Sequence, residues 1–158
     1  MPQFIEIWRR LDIIVKDPVV LTKNSFWFAG VFDANGCISF HLDKRQNNWL
    51  ILSISISNKK AGNLQIFQDT FGGIIYVNIS SSVLLSSLTW QINDPEGILQ
   101  ITHYFKDKCR SNKSVLFFIV EEFYRLRDLE AYKFDSIHYS DWLLFAEKWK
   151  ARKEFRIF

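Results

Sequence analysis

The sequence is poor in the residues that define several special classes of protein. Its 158 residues include only 2 cysteines, 6 glycines and 3 prolines. The two cysteines, Cys37 and Cys109, have neither C-x-x-C nor zinc-site spacing, so we predict reduced, packed thiols rather than a disulfide framework or a zinc ribbon. No segment is of low complexity.

Long apolar runs and a strong charge excess are also missing. No run is long enough to span a membrane, and the N-terminal residues do not resemble a signal peptide. The formal net charge is only +3, which is compatible with nucleic-acid binding but does not require it. No phosphate-binding loop and no Ser-His-Asp arrangement is present.

The residues that are abundant describe a globular protein with a large core. Hydrophobic residues make up 48% of the chain and aromatic residues 16%, enough for one well-packed domain. Ile, Phe, Asn and Lys are frequent while Gly, Ala and Pro are scarce. AT-rich codons produce this bias, so we predict a gene of a mitochondrion or another organelle.

The hydrophobic pattern predicts one domain preceded by a short helix. Residues 1–24 form a helix over Pro2 to Val15 and a connector, and residues 25–158 form a single domain. Within that domain the predicted elements are helix 25–33, strands 37–43 and 49–58, helix 59–71, strands 74–79 and 84–93, and helices 94–108, 112–132 and 140–152.

Strict alternation over Trp49 to Asn58 indicates one core face and one wet face. The first strand should likewise direct Ile38, Phe40 and Leu42 into the core. The element order therefore predicts an α+β fold of αββαββα type, with a four-stranded antiparallel sheet and helices on one face. The open face presents Ser39, His41, Ser53, Ser55, Ser57, Tyr76, Asn78, Thr89 and Gln91.

The most informative segment is Trp27-Phe28-Ala29-Gly30-Val31-Phe32-Asp33-Ala34-Asn35-Gly36. Asn24 or Ser25 can cap the start of this apolar helix. Ala29 and Gly30 would allow a second helix to approach closely. Gly36 suits a left-handed residue after the helix. The C-terminus carries unpaired carbonyls and partial negative charge.

This segment, followed at once by a strand, resembles the LAGLIDADG motif of homing endonucleases and intron maturases. The predicted element order resembles that family over nearly the whole chain, and the chain resembles the C-terminal half of a two-motif member. The resemblance implies that two such units pair through their motif helices, as a homodimer or with another polypeptide. The residues that it implies for this interface are Phe28, Ala29, Gly30, Phe32 and Asp33.

The resemblance also implies a chemical site at the end of the motif helix. There the family carries a carboxylate that holds Mg²⁺ near the scissile phosphate, and this chain has Asn35. A Gln at the end of the second strand is replaced by Asn58, and Lys113 matches a lysine that faces the site. Asp33 remains acidic but corresponds to a more structural position, so Asn35 and Asp33 are both weak candidates for metal ligands.

The same resemblance implies nucleic-acid binding on the open face. The Ser-rich strands offer few direct base contacts, whereas the basic residues lie at the margins and could hold phosphates. The bland alternative is that these are solvated charges. The marginal residues are Lys44, Arg45, Lys59, Lys60, Lys106, Lys108, Arg110 and Lys113.

Three functional hypotheses follow. The first is a cleavage-deficient domain that binds RNA or DNA, in intron splicing or a ribonucleoprotein such as the mitochondrial ribosome. The second is a Mg²⁺-dependent site-specific DNA endonuclease that works as a dimer or with an acid-bearing half; deamidation of Asn35 beside Gly36 could restore an acid. The third is a structural subunit held by protein contacts. We favour the first.

Overall fold

The computed structural model describes residues 21–79 and 87–154. The predicted helix over Pro2 to Val15 lies outside these ranges, as do most of the connector and the start of the fourth predicted strand. Among the described residues, no helix is both long and apolar enough to cross a bilayer.

The first half of the domain is a helix, a β-hairpin and a second helix. The N-cap of the motif helix is Phe26, without a side-chain cap bond, so the predicted cap at Asn24 or Ser25 is wrong, although Ser25 Oγ accepts from the Trp27 backbone N–H at 3.2 Å. The hairpin turns through a short 3₁₀ segment, Lys44–Gln46. The elements are α1 (Trp27–Asn35), β1 (Gly36–Asp43), β2 (Trp49–Asn58) and α2 (Ala61–Phe71).

The second half repeats the pair of strands and continues into helices. Two glycines with positive φ, Gly72 and Gly73, end α2 as predicted. The Asp94 side chain caps α3 by accepting from the Gly97 N–H at 2.7 Å. The elements are β3 (Ile74–Asn78), β4 (Ser87–Ile92), α3 (Pro95–Lys108), α4 (Ser114–Phe117), α5 (Val120–Asp128) and α6 (Tyr139–Glu154).

The strands form one antiparallel sheet in the order β1-β2-β4-β3, which confirms the predicted fold. β1 and β3 are the edge strands. The register pairs Ser39 with Ser53, Ser55 with Gln91 and Tyr76 with Thr89. Because paired residues share a face, this register places the predicted polar residues on one side of the sheet.

The other side of the sheet is covered by an aromatic core. Phe67 of α2 packs on Phe28 and Trp90, with ring centroids 5.0 and 5.2 Å apart. Phe40 packs on Phe123 of α5 at 5.4 Å and on Trp149 of α6 at 5.1 Å. Leu42 is different from its prediction: it is 51% exposed, because it lies at the hairpin end of an edge strand.

The single long helix predicted over residues 112–132 is wrong. Two short helices, α4 and α5, stand in its place. Leu116, Phe117, Ile119 and Val120 are all buried, and they would span about 160° of a regular helix, so their burial alone does not require a break. The backbone leaves helical geometry at Ile119 (φ −118°, ψ 9°), which separates α4 from α5. Further along, left-handed Glu130 (φ 51°) ends the helical segment before Tyr132.

Candidate nucleic-acid interface

The motif helix ends in a tight junction with the sheet. Helix α1 continues to Asn35, two residues beyond its predicted end, and β1 begins at Gly36. Gly36 is extended (φ −80°, ψ 155°), so the predicted left-handed conformation is wrong. A glycine is needed for space instead: a Cβ there would lie 2.2 Å from the Phe32 ring.

Asp33 ties this junction to the loop after α3. Its carboxylate accepts backbone hydrogen bonds from Arg110 at 2.7 Å and Ser111 at 3.1 Å, and a third from the Ser111 hydroxyl. Burial raises the pKa of the Asp33 carboxyl, but these bonds outweigh it and hold the pKa below its usual value. Both carboxylate oxygens of Asp33 are therefore engaged in hydrogen bonds within the fold.

Burial, followed by the charge of Asp33, raises the pKa of the neighbouring Cys109 thiol. Cys109 is buried as predicted, whereas Cys37 is exposed, which corrects the expectation of two packed thiols. Cys37 shares the open face with Ser55, its partner in the register.

Lys113 places a positive charge at the C-terminus of α1. Its Nζ donates to the backbone oxygen of Asp33 at 2.9 Å and lies 3.5 Å from that of Phe32. A cation at a helix C-terminus neutralises the partial negative charge of the last carbonyls. The end of α1 thus carries an ammonium group where a metal site would need anionic ligands.

The residues at this helix end do not fit a resident Mg²⁺ ion. Asn35 is exposed and brings no charge, and the Asp33 oxygens are occupied. The Asn58 side-chain oxygen accepts from the Lys60 backbone N–H at 2.9 Å, which fixes it in a turn. Within the described ranges, no group of three His, Cys, Asp or Glu side chains could hold a metal ion.

The polar side chains of the open face largely bind one another. The Ser57 and Thr89 hydroxyls are 2.8 Å apart, Asn78 Nδ2 donates to Thr89 Oγ1 at 2.5 Å, and Gln91 Nε2 donates to Ser53 Oγ at 3.1 Å. Base edges would have to compete with these internal bonds.

The centre of this face is also less wet than predicted. Ser53 is 6% and Thr89 3% exposed, so the expectation of a fully wet face is wrong there. Both are small residues in inner strands, overlain by longer side chains such as Gln91. His41, Ser57, Tyr76 and Asn78 are exposed, and Ser39, Ser55 and Gln91 are half-buried.

The residues of the predicted basic margin are all exposed or half-exposed. Lys44 and Arg45 stand at the tip of the β1–β2 hairpin, Lys59 and Lys60 precede α2, and Arg110 follows α3. Lys106 and Lys108 lie over the Phe118 and Tyr104 rings, with Nζ 5.0 and 4.5 Å from the centroids.

The outward side of α1 differs from the predicted interface. Phe28, Ala29 and Phe32 are at most 1% exposed, because they pack into the domain's own core and cannot contact a second half. Phe26, which precedes α1, and Gly30 and Ala34 within it are exposed and are spaced four apart along one helix face. A Cβ on Gly30 would meet no heavy atom within 4 Å. Asp33 remains only at the edge of this face.

Three residues near the site were missed by the sequence analysis. Ser111 is a principal hydrogen-bond partner of Asp33, 78 positions away. Arg152 and Lys153, at the end of α6, line a groove beside β1 with Lys113. No local pattern relates such distant positions.

Two intron-encoded fungal proteins are similar to this chain in sequence. The intron-encoded RNA maturase bI4 of Saccharomyces cerevisiae is 34% identical over 93% of this chain and 23% of its own length. The probable intron-encoded endonuclease aI2 of Debaryomyces hansenii is 25% identical over 95% of this chain and 25% of its own length. The chain therefore spans about a quarter of these curated relatives.

Solved homing endonucleases are similar in fold. The archaeal intron-encoded homing endonuclease I-Vdi141I, complexed with DNA, superposes with a TM-score of 0.60 and 15% identity. The match covers 84% of this chain and 86% of that one. The homing endonuclease I-CvuI gives a TM-score of 0.56 at 14% identity, covering 83% and 82%. At these identities the likeness establishes the fold alone.

The family match covers the sheet and most of its helices. Residues 28–124 match the family described as LAGLIDADG endonuclease, a range that includes the motif helix, all four strands and the loop that binds Asp33. Together with the maturase similarity and the sheet topology, this match establishes that the chain belongs to the LAGLIDADG endonuclease family.

Proposed function

We propose that this chain is a nucleic-acid-binding domain that does not cleave its ligand, and that the ligand is RNA. The observation that carries the proposal is the C-terminus of α1. A neutral Asn35 stands beside an ammonium group, Lys113, which donates to the Asp33 carbonyl at 2.9 Å. The ammonium group neutralises the last carbonyls of the helix and disfavours a divalent cation there.

The open face supports binding without strong sequence reading. Its hydroxyl and amide groups bind one another, as between Gln91 and Ser53, so few of them are available to form hydrogen bonds with base edges. Positive charge lies at the margins, at the hairpin tip and before α2. Phosphate contacts supply affinity and orientation but carry no sequence information.

Similarity to an RNA maturase supports RNA as the ligand and an organelle as the location. The 34% identical relative is described as an intron-encoded RNA maturase. We therefore propose action in intron splicing or in an organellar ribonucleoprotein, such as a mitochondrial ribosome. A second LAGLIDADG half, either a copy or another polypeptide, would pack on Phe26, Gly30 and Ala34.

The test is binding to a structured intron RNA and to a DNA duplex of equal length, over a salt series. The proposal expects tighter RNA binding, with log K falling linearly as log [salt] rises. Binding of duplex DNA alone would contradict the choice of ligand. Salt-independent or absent binding to both would favour a structural subunit held by protein contacts.

A second candidate function is DNA cleavage with an acid-bearing partner half. The exposed outward face of α1, with Gly30 at its centre, favours it because a partner helix could approach closely there. In that case Mg²⁺ would be held largely by the partner's carboxylate, and only one strand would be nicked. Cleavage that requires a second polypeptide would support this candidate.

A further inference from the structure

A groove lies beside β1, an edge strand among the described strands, near the C-terminal end of α1. It lies between β1, the loop after α3 and the C-terminal end of α6, and it has a volume of about 370 Å³. This volume lies within the common range for small-molecule sites, roughly 300–1,000 Å³. The lining side chains used below are Cys37, Ser111, Lys113, Leu116, Arg152 and Lys153.

The charges in this groove are all positive. Lys113, Arg152 and Lys153 line it, and none of its described lining residues is acidic. The adjacent Asp33 carboxylate is already bound by Ser111 and by the Arg110 backbone. Among the ion pairs of the described residues, none joins Asp33 to these three cations.

Two of the cations are held in place. The Arg152 guanidinium donates from one Nη to the Val115 carbonyl at 2.8 Å, and the side chain is half-buried. A guanidinium has five N–H donors in a fixed fork, so this bond orients the rest of the group. Lys113 is fixed by the carbonyls that end α1.

The floor of the groove is apolar. Ile38 and Leu116 are each 2% exposed and form part of the lining. Electrostatic attraction is stronger beside low-dielectric protein than in open water. The groove thus combines oriented cations with an apolar floor.

We propose that this groove binds a phosphate group of the nucleic acid without a metal ion, through Lys113, Arg152 and Lys153. The proposal rests on the proposed function, and it adds a specific anchor outside the sheet face. The ammonium and the guanidinium fork match phosphate oxygens in charge and hydrogen-bonding capacity. The anchored phosphate would lie at the sheet edge, next to the end of α1.

The first test compares two full-length variants with the same loss of charge. Arg152→Gln with Lys153→Gln removes two cations from the groove. Lys133→Gln with Lys150→Gln removes two lysines elsewhere and is the control. The groove variant should bind RNA about 10-fold more weakly near physiological salt, with a salt slope reduced by about 1 to 2, since each lost phosphate contact lowers it by about 1. Equal binding by both variants would overturn the proposal.

The second test uses Cys37, whose exposed thiol lines the groove, while Cys109 is buried. The rate of Cys37 alkylation by neutral iodoacetamide is measured with millimolar adenosine 5′-monophosphate or adenosine. The monophosphate should slow the reaction at least about 2-fold in the wild type and not in the groove variant, because only it carries the phosphate that these cations bind. Equal rates with both compounds would overturn the groove as an anion site.

The two tests separate the groove from the proposed function. If the wild-type protein binds no RNA or DNA, the proposed function fails, and Cys37 protection alone decides the groove. If RNA binding is salt-dependent but insensitive to the groove variant, the proposed function stands and the groove proposal fails.

Discussion

The two faces of the sheet differ in the kind of side chains they carry and in what those side chains contact. The covered face holds large aromatic side chains, such as Phe67 and Trp90, both 0% exposed. The open face holds small hydroxyls and amides, among them the Ser57 and Thr89 hydroxyls, 2.8 Å apart. The first face fixes the LAGLIDADG fold, whereas the second presents little that could read a base sequence.

In this domain, the fold and the chemistry at the end of α1 depend on different residues. The α1 helix packs its aromatic side into the covered face, and this packing does not depend on the residue at position 35. An asparagine at the helix end is therefore compatible with the whole architecture.

Phe67→Ala should be far more damaging than Ser55→Ala. Removing a buried aromatic ring costs about 3–5 kcal/mol, because Phe67 contacts Phe28 and Trp90. The serine change, on a half-buried open-face position, should cost about 0.5 kcal/mol or less. Urea unfolding measures both free energies. Similar losses for the two variants would remove the distinction between the faces.

Gly36→Ala should destabilise the domain, whereas Gly30→Ala should stabilise it. A Cβ at Gly36 would lie 2.2 Å from the buried Phe32 ring, and overpacking of this kind costs about 1–3 kcal/mol. At Gly30 the space is open, and Ala improves an exposed helix by about 0.5–1 kcal/mol. Thermal unfolding of both variants is the measurement, and a destabilising Gly30→Ala would show that space is not the cause.

Asp33→Asn should cost about 1–3 kcal/mol, because hydrogen bonds to a charged carboxylate are lost. The carboxyl pKa is lowered in the folded state. Its contribution is therefore present above the unfolded value of about 4 and is lost as pH falls through the lower folded pKa. Urea unfolding at pH 7 and pH 3, with exposed Asp107→Asn as control, measures it. A variant effect that grows on acidification would contradict this sign.

Thr89→Val should have a smaller effect, of about 1 kcal/mol. The change keeps the shape of the side chain but removes the oxygen that accepts from Asn78 Nδ2 at 2.5 Å. Without this acceptor the Asn78 amide becomes free to contact RNA, so the affinity for RNA should not fall. Paired unfolding and binding measurements check this. A large loss of affinity would mean that Thr89 itself contacts the ligand.

The parts of the fold that follow from local pattern were predictable. The alternation in β2 gave the correct strand, and the element order gave the correct sheet. The split between α4 and α5 was not predictable from composition, because it depends on how Phe117 and Val120 meet the core. The apolar runs of a straight and a broken helix look the same in sequence.

The candidate site was predictable only in part. The motif located the end of α1, and the family resemblance located Lys113. The bonds from Ser111 to Asp33 and the groove at Arg152 depend on contacts between residues far apart in the chain. The partial burial of Ser53 and Thr89 depends on neighbouring strands, which a single strand's alternation does not encode.

The most direct test of the central claim is a cleavage assay on the bound nucleic acid. Purified protein, checked by mass spectrometry for an intact Asn35 amide, is incubated with bound RNA or duplex DNA and Mg²⁺, and the products are run on a denaturing gel. We expect the RNA and both DNA strands to stay intact. Discrete cut products from this undeamidated protein alone would contradict it.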